Sequence, residues 1–200
     1  AGLKAALEAG EVTTVSKINT IADGTAVQTP GDKLFPYLQA NVDHVITVDD
    51  SELTLSFLDM AENHKMIVEN SGLLTVAALK HLDFKGKKVV SVLSGGNMDV
   101  LTMATVVQNG LMQRDRIFTV SVMLPDKPGQ LAAVSSLIAK EQGNVIKLEH
   151  NVFANVNRTA GVELTITLES FGTEHKDQII KALEAAGYCP VITKTNGIYM

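Results

Sequence analysis

Ser94, Gly95, Gly96 and Asn97 follow an apolar run, Val89, Val90, Val92 and Leu93, and precede a helix that the spacing starts near Asp99. Such a run predicts a strand buried on both faces, the kind found in parallel sheets. Turns at the carboxyl ends of these strands are where open α/β sheets bind ligands. Gly95 and Gly96 admit a ligand close to the backbone, and Ser94 offers a neutral hydroxyl at the strand tip. A tight turn needs the same glycines and a helix cap the same serine, so the pattern alone leaves both readings open.

Other reactive side chains are scattered. His44, His64, His81, His150 and His175 show no i,i+4 pairing, which argues against a metal site. His150 falls at the inward phase of a strand and reads as a satisfied or interface histidine. Cys189 is the single cysteine, so an internal disulfide is excluded, and it reads as a small hydrophobe. There is no Ser-His-Asp set, phosphate-binding P-loop or dinucleotide fingerprint.

The elements around these residues fall into two blocks, 1–114 and 115–200. In the first, residues 43–48, 66–68 and 88–93 predict strands. Between them, helices carry Leu53, Phe57 and Met60, then Leu74, Ala77, Ala78 and Leu82, on one face. Asp49 or Asp50 can cap the first of these helices. Alternation of this kind implies parallel pairing through right-handed crossovers. A helix over 99–113, with Val100, Met103, Ala104, Val107 and Leu111 inward, leads to the charged break Arg114-Asp115-Arg116. From Ile117 the period changes to two. Strands at 117–124, 145–153, 162–168 and 189–193, with helices around Leu131–Ile138 and Ile179–Leu183, give the order β-α-β-β-α-β of a ferredoxin-like unit. Its open face displays Thr119, Ser121, Glu163, Thr165 and Thr167 and is expected to be wet or to meet a partner. An exposed edge in such a sheet predicts pairing across a two-fold axis, at least a dimer.

Composition narrows the function. The chain has 200 residues, 46% hydrophobic and 20% charged, with a formal net charge of −5. Nucleic-acid binding needs a clustered basic surface, which is missing. No stretch reaches the length of a membrane span and no secretory signal is visible, so a cytoplasmic location is the default. The first residue is Ala and helix-like sequence begins at once, which suggests a processed or truncated chain.

Three segments in order, Thr20-Ile21-Ala22-Asp23-Gly24, Glu69-Asn70-Ser71-Gly72 and Ser94-Gly95-Gly96-Asn97, resemble the back half of the threonine ammonia-lyase (threonine dehydratase) family. These are pyridoxal-phosphate enzymes of fold type II, the tryptophan-synthase-β-like α/β fold. Residues 117–193, with Asp126-Lys127-Pro128-Gly129-Gln130-Leu131, resemble the α+β ACT regulatory domain attached to many of them. The resemblance implies that Ser94 hydrogen-bonds the pyridine nitrogen of the cofactor, with Gly95, Gly96 and Asn97 around it. It also implies that the Gly24 backbone lies against the ring and that Glu69 stands near its rim. Asn70 and Ser71 are more polar than the usual Glu-Gly-Ala-like run. For the ACT unit it implies an amino-acid effector, isoleucine or valine, held by Asp126, Pro128, Gly129, Gln130 and Leu131. Asn144 and Val145 would assist, at an interface between two copies.

The implied reaction converts threonine to 2-oxobutanoate and ammonia. The Schiff-base lysine in its Ser-Phe-Lys-like context and the glycine-rich phosphate loop of the family are not found here. The segment itself is therefore expected to be inactive and to bind no cofactor covalently. The alternatives are a stand-alone amino-acid-binding and oligomerising module, and a serine dehydratase or racemase of the same fold.

Overall fold

A computed structural model describes residues 2–16, 18–151 and 161–195. Two compact units divide the chain, Ala1–Gly110 and Leu111–Met200.

The first unit is helical in its regular elements. These are α1 (Gly2–Ala9), α2 (Phe35–Asn41), α3 (Asp50–Asp59), the single turn α4 (Leu74–Ala77) and α5 (Val100–Gln113), whose last turn crosses the unit boundary. Short 3₁₀ turns cover Asp23–Thr25, Asn70–Leu73 and Ala78–His81, and a π-turn at Met60–His64 closes α3. Asp49 stands at the N-cap of α3, and Glu52 reaches back to accept the Asp49 N–H at 2.9 Å, the return half of a capping box. The Glu52 carboxyl is held below the usual carboxylate range, first by that backbone N–H and then by His81, whose Nε2 lies 2.9 Å away. Of the two capping candidates, Asp49 takes the cap and Asp50 turns elsewhere. Its carboxylate receives the Thr20 hydroxyl at 2.5 Å and the Ile21 N–H at 3.1 Å.

Leu53, Phe57 and Met60 are buried together, as their spacing predicts, with Ala22, Val68, Leu73, Ala77 and Val106. Gly110 lets α5 lie close to α3, since a Cβ there would come 2.6 Å from Leu58 Cδ1. The expected faces shift in two places. On α5, Val106 and Gly110 are buried while Val100 is exposed, and Leu82 is exposed beyond the end of a helix broken into 3₁₀ and α turns.

Residues 43–48, 66–68 and 88–93 do not form strands among the described residues. Val90, expected inside, is 87% exposed, and Val92, Ile67 and Ile46 are also exposed. The physical reason is that a strand is not a local structure. A parallel strand is held by ladder partners on both sides and by helices on both faces, and this unit presents no such ladder to these segments.

The second unit matches its expected order. It comprises β1 (Ile117–Leu124), α6 (Gln130–Lys140), β2 (Asn144–Asn151), β3 (Val162–Glu169), α7 (Thr173–Ala185) and β4 (Val191–Thr193). The sheet runs β2-β3-β1-β4 and is antiparallel throughout. Residues 152 and 153, assigned to the second strand from sequence, lie outside the described residues. The last strand is shorter than expected, and Cys189 precedes it, exposed.

Phe118, Val120, Val122 and Leu124 alternate inward and meet Leu164, Ile166 and Leu168 of β3. Val134 and Ile138 of α6 and Ile179 and Leu183 of α7 cover them. Of the two expectations for the opposite face, wet or meeting a partner, the first does not hold at its centre. Thr119, Ser121 and Thr167 are buried, and the hydroxyls of Thr119 and Thr167 lie 3.0 Å apart.

The end of the sheet at Ile117 and Glu169 is heavily cross-tied. Asp115 receives Lys176 Nζ at 2.9 Å and the Thr173 hydroxyl at 2.8 Å. His175, buried at the start of α7, accepts the Phe171 N–H through Nδ1 at 3.0 Å, while its Nε2 stands 2.6 Å from the Glu141 carbonyl. That single ring joins the α6–β2 turn to the β3–α7 turn.

Candidate functional site

The three polar segments of the first unit converge. A 3₁₀ turn starting at Asp23 and another starting at Asn70 pack against each other, with the 94–97 turn beside the second. Asn70 Nδ2 donates to the Ile21 carbonyl at 3.1 Å. Ser71 packs against Gly24 so closely that a Cβ on Gly24 would come 2.9 Å from Ser71 Oγ. Gly72 lies under the Ser94 carbonyl, in space that a side chain would overlap.

Glu69 is the common neighbour. Its N–H donates to the Gly95 carbonyl at 3.4 Å, its own carbonyl accepts the Gly72 N–H at 2.9 Å, and its Oε2 accepts the Asn97 N–H at 3.3 Å. Gly95 has φ +78°, and a Cβ there would fall inside the Glu69 carboxylate. Glycine answers both demands at once.

Ser94, Gly96 and Asn97 are exposed, so the tip of this turn is open to a ligand, and Glu69 is half-buried behind it. Two side-chain oxygens nearby, Asn70 Oδ1 and Ser71 Oγ, are buried and have no hydrogen-bond partner. Such orphans are few in folded proteins and mark a place where a missing donor belongs. The sequence singles out Asn70 and Ser71 only as unusually polar. Their burial follows from the packing of Gly24 and Gly72, which no local pattern announces.

In the second unit, Asp126, Pro128, Gly129, Gln130 and Leu131 line a cavity of about 300 Å³ with Leu124, Pro125 and Lys127. His150 completes the lining. It is exposed, on the same sheet end as this loop, rather than satisfied within its own chain. The register could have suggested this, since β1 and β2 both run antiparallel to β3 and so end at its Val162 end.

Asn144 and Val145 sit at the other end. Asn144 pairs with Glu169 in register and donates to its Oε2 at 3.1 Å. Seven residue steps of β2, about 24 Å, separate Asn144 from Asn151. Within one chain the Asp126–Leu131 loop and Asn144 are therefore not brought together. Among the described residues no group of three or more His, Cys, Asp or Glu is arranged to hold a metal ion. No described helix is long and apolar enough to cross a membrane.

Comparison with known proteins accounts for both units. Residues 1–95 match the pyridoxal-phosphate dependent enzyme family, and residues 118–187 match the ACT domain. An L-threonine ammonia-lyase of Geobacter sulfurreducens is 36% identical over 94% of this chain and 47% of its own length. An L-threonine ammonia-lyase of Thermotoga maritima is 34% identical over 92% of this chain and 46% of its own. The chain thus spans about half the length of these curated relatives. Among solved structures, maize serine racemase aligns with a TM-score of 0.46 at 32% identity, over 52% of this chain and 35% of that one. The chain therefore carries a segment of the pyridoxal-phosphate dependent enzyme family in residues 1–95, followed by an ACT domain in residues 118–187.

Proposed function

We propose that this chain is the part of a threonine ammonia-lyase that receives the pyridine edge of pyridoxal phosphate and senses an amino-acid effector. The observation that carries the reading is the convergence of residues 20–24, 69–72 and 94–97, which are remote in sequence, on one open turn.

The residues present fit one side of the cofactor. The exposed Ser94 stands at the turn tip, the buried, unpartnered Ser71 Oγ lies beside Gly24, and Asn70 Oδ1 is likewise buried without a partner. Pyridoxal phosphate, when bound, supplies the electron sink that lets the substrate Cα–H bond break. Ser94 is assigned the hydrogen bond to the pyridine nitrogen. A hydroxyl there would not hold a proton on that nitrogen as a carboxylate would. Gly24, Gly95, Gly96 and Asn97 would present backbone to the bound group, with Glu69 behind the 95–97 turn. Threonine, giving 2-oxobutanoate and ammonia, is the substrate of this reading.

The Schiff-base lysine and the phosphate loop are assigned to residues outside these 200. Borohydride reduction of this chain with pyridoxal phosphate is expected to trap no stoichiometric, site-specific adduct. The family-length enzyme is expected to trap one per chain. A single stoichiometric adduct on this chain would overturn that assignment.

The ACT unit is assigned an amino-acid effector, with isoleucine and valine as candidates, in the cavity formed by the Asp126–Leu131 loop and His150. Asn144 joins this site from a second copy. The edge strand β2 is exposed along most of its length, and Lys147 and Glu149 flank Leu148 symmetrically. Two β2 strands paired antiparallel about Leu148 set Lys147 opposite the other copy's Glu149 and bring Asn144 toward the far end of the neighbouring strand. Calorimetric titration with isoleucine, valine, serine and threonine tests this. Saturable binding of one of them supports the effector role, and silence with all four at millimolar concentration leaves assembly as the role of the unit.

A further inference from the structure

We infer that Glu69 is a positioning residue, a brace that holds the Gly95–Asn97 turn and thereby sets the direction in which Ser94 presents its hydroxyl. This rests on the reading of Ser94 as the group that meets the cofactor, and it assigns Glu69 a different task from contact at the ring's rim.

Three observations converge on the brace. First, the Glu69 carboxylate occupies the space where a Cβ on Gly95 would be, and its Oε2 accepts the Asn97 N–H at 3.3 Å. It therefore touches the turn on both sides of Gly96. Second, the Glu69 main chain is tied to the same turn, its N–H donating to the Gly95 carbonyl at 3.4 Å. Third, the Glu69 carbonyl accepts the N–H groups of Gly72 and Leu73, at 2.9 and 3.2 Å, so the brace is rooted in a turn whose Leu73 is fully buried. A half-buried carboxylate on an anchored backbone can fix an exposed turn that has no ladder of its own.

The residue type follows from this geometry. The Asn97 N–H needs an acceptor at the end of a side chain long enough to cross over Gly95. Glutamate and glutamine both provide it; aspartate is one methylene short and alanine has no acceptor. A brace therefore tolerates Glu69→Gln, whereas a carboxylate acting by its charge on a bound ring does not. Gly95 is complementary to the brace. Any side chain there meets the carboxylate and also strains a backbone at φ +78°.

The test uses hydrogen exchange at the Asn97 amide in this chain, and cofactor absorbance and emission in the family-length holoenzyme. Glu69→Ala is expected to lower Asn97 protection about tenfold, the size of one lost hydrogen bond, while Glu69→Gln stays near wild type. Gly95→Ala, which expels the carboxylate, should match Glu69→Ala. In the Glu69→Ala background it should lower Asn97 protection far less, which guards against a variant that merely folds poorly. In the holoenzyme Glu69→Ala should shift the cofactor spectrum in the same direction as Ser94→Ala, and Glu69→Gln should not.

Unchanged Asn97 exchange in Glu69→Ala, or a Glu69→Gln holoenzyme as perturbed as Glu69→Ala, overturns the brace. If Ser94→Ala itself leaves the spectrum unmoved, the cofactor reading of this turn is what fails, whatever the exchange data show.

Discussion

Asn70 Nδ2 donates to the carbonyl of Ile21 at 3.1 Å, a bond that spans 49 residues of sequence and pins two of the three converging segments together. Ile21 is held from its other side by Asp50, whose Oδ2 accepts its N–H at 3.1 Å. The Thr20–Gly24 segment has no regular structure until Asp23, so these two side chains do for it what a ladder would do for a strand.

Asn70→Leu should therefore destabilise the first unit by about 2 kcal/mol, because it strands a part-buried carbonyl. Urea unfolding followed by circular dichroism measures this. Asn70→Asp should not rescue it, since a carboxylate cannot donate to the Ile21 carbonyl.

Asp115 gives a pH signature to the second unit. Burial acts to raise its carboxyl, but the hydrogen bonds from Lys176 and Thr173 outweigh burial and hold it below the ordinary carboxylate range. A lowered folded value means that the stabilisation is fully present above the unfolded value of about 3.9 and is lost as pH falls through the folded value. Asp115→Asn should then cost about 1 kcal/mol at pH 7, discounted for partial exposure, and progressively less below pH 4. Unfolding midpoints at pH 7 and pH 3 for both proteins make the comparison. An equal deficit at both values would show that geometry, not charge, matters.

His150 is the residue that the structure adds to the cavity proposed for the effector. If it faces the bound amino acid, His150→Ala should weaken the isoleucine or valine titration about tenfold, equivalent to roughly 1.4 kcal/mol, with no change in unfolding midpoint. Asn144→Ala should weaken it comparably, and a mixed dimer of the two variants should keep one intact site.

Leu148 lies at the centre of the exposed edge strand, between Lys147 and Glu149. Leu148→Lys would set two like charges opposite each other across the proposed two-fold axis and should turn a dimer into a monomer at micromolar concentration. Sedimentation velocity reads this directly. A matching substitution on the short β4 edge, Ile192→Lys, should leave assembly intact.

Sequence reading succeeded where pattern and packing share a period. Phe118, Val120, Val122 and Leu124 alternate because β1 has one face on the core, and Val134, Ile138, Ile179 and Leu183 recur at helical spacing because they cover that face. Leu53, Phe57 and Met60 are buried for the same reason. The runs at 88–93 and 43–48 contain equally apolar residues, yet among the described residues they form no strand ladder. Their pattern states a need for sheet partners, and a need is not a contact.

The motif residues divide in the same way. Ser94 to Asn97 are recognisable in the chain because glycines and a polar tip after an apolar run are local features, whereas Gly24 and Glu69 stand out only through the family resemblance. Residue types, strand alternation and the two-block order are thus carried by the one-dimensional string, since sterics and burial period act over a few neighbours. The folded molecule alone settles that Gly24 meets Ser71, that Gly95 meets Glu69, that Asp50 holds Ile21 and that His150 shares a cavity with the Asp126–Leu131 loop. Each of these joins residues well separated along the chain, and their distance in space is set by how helices and sheet pack.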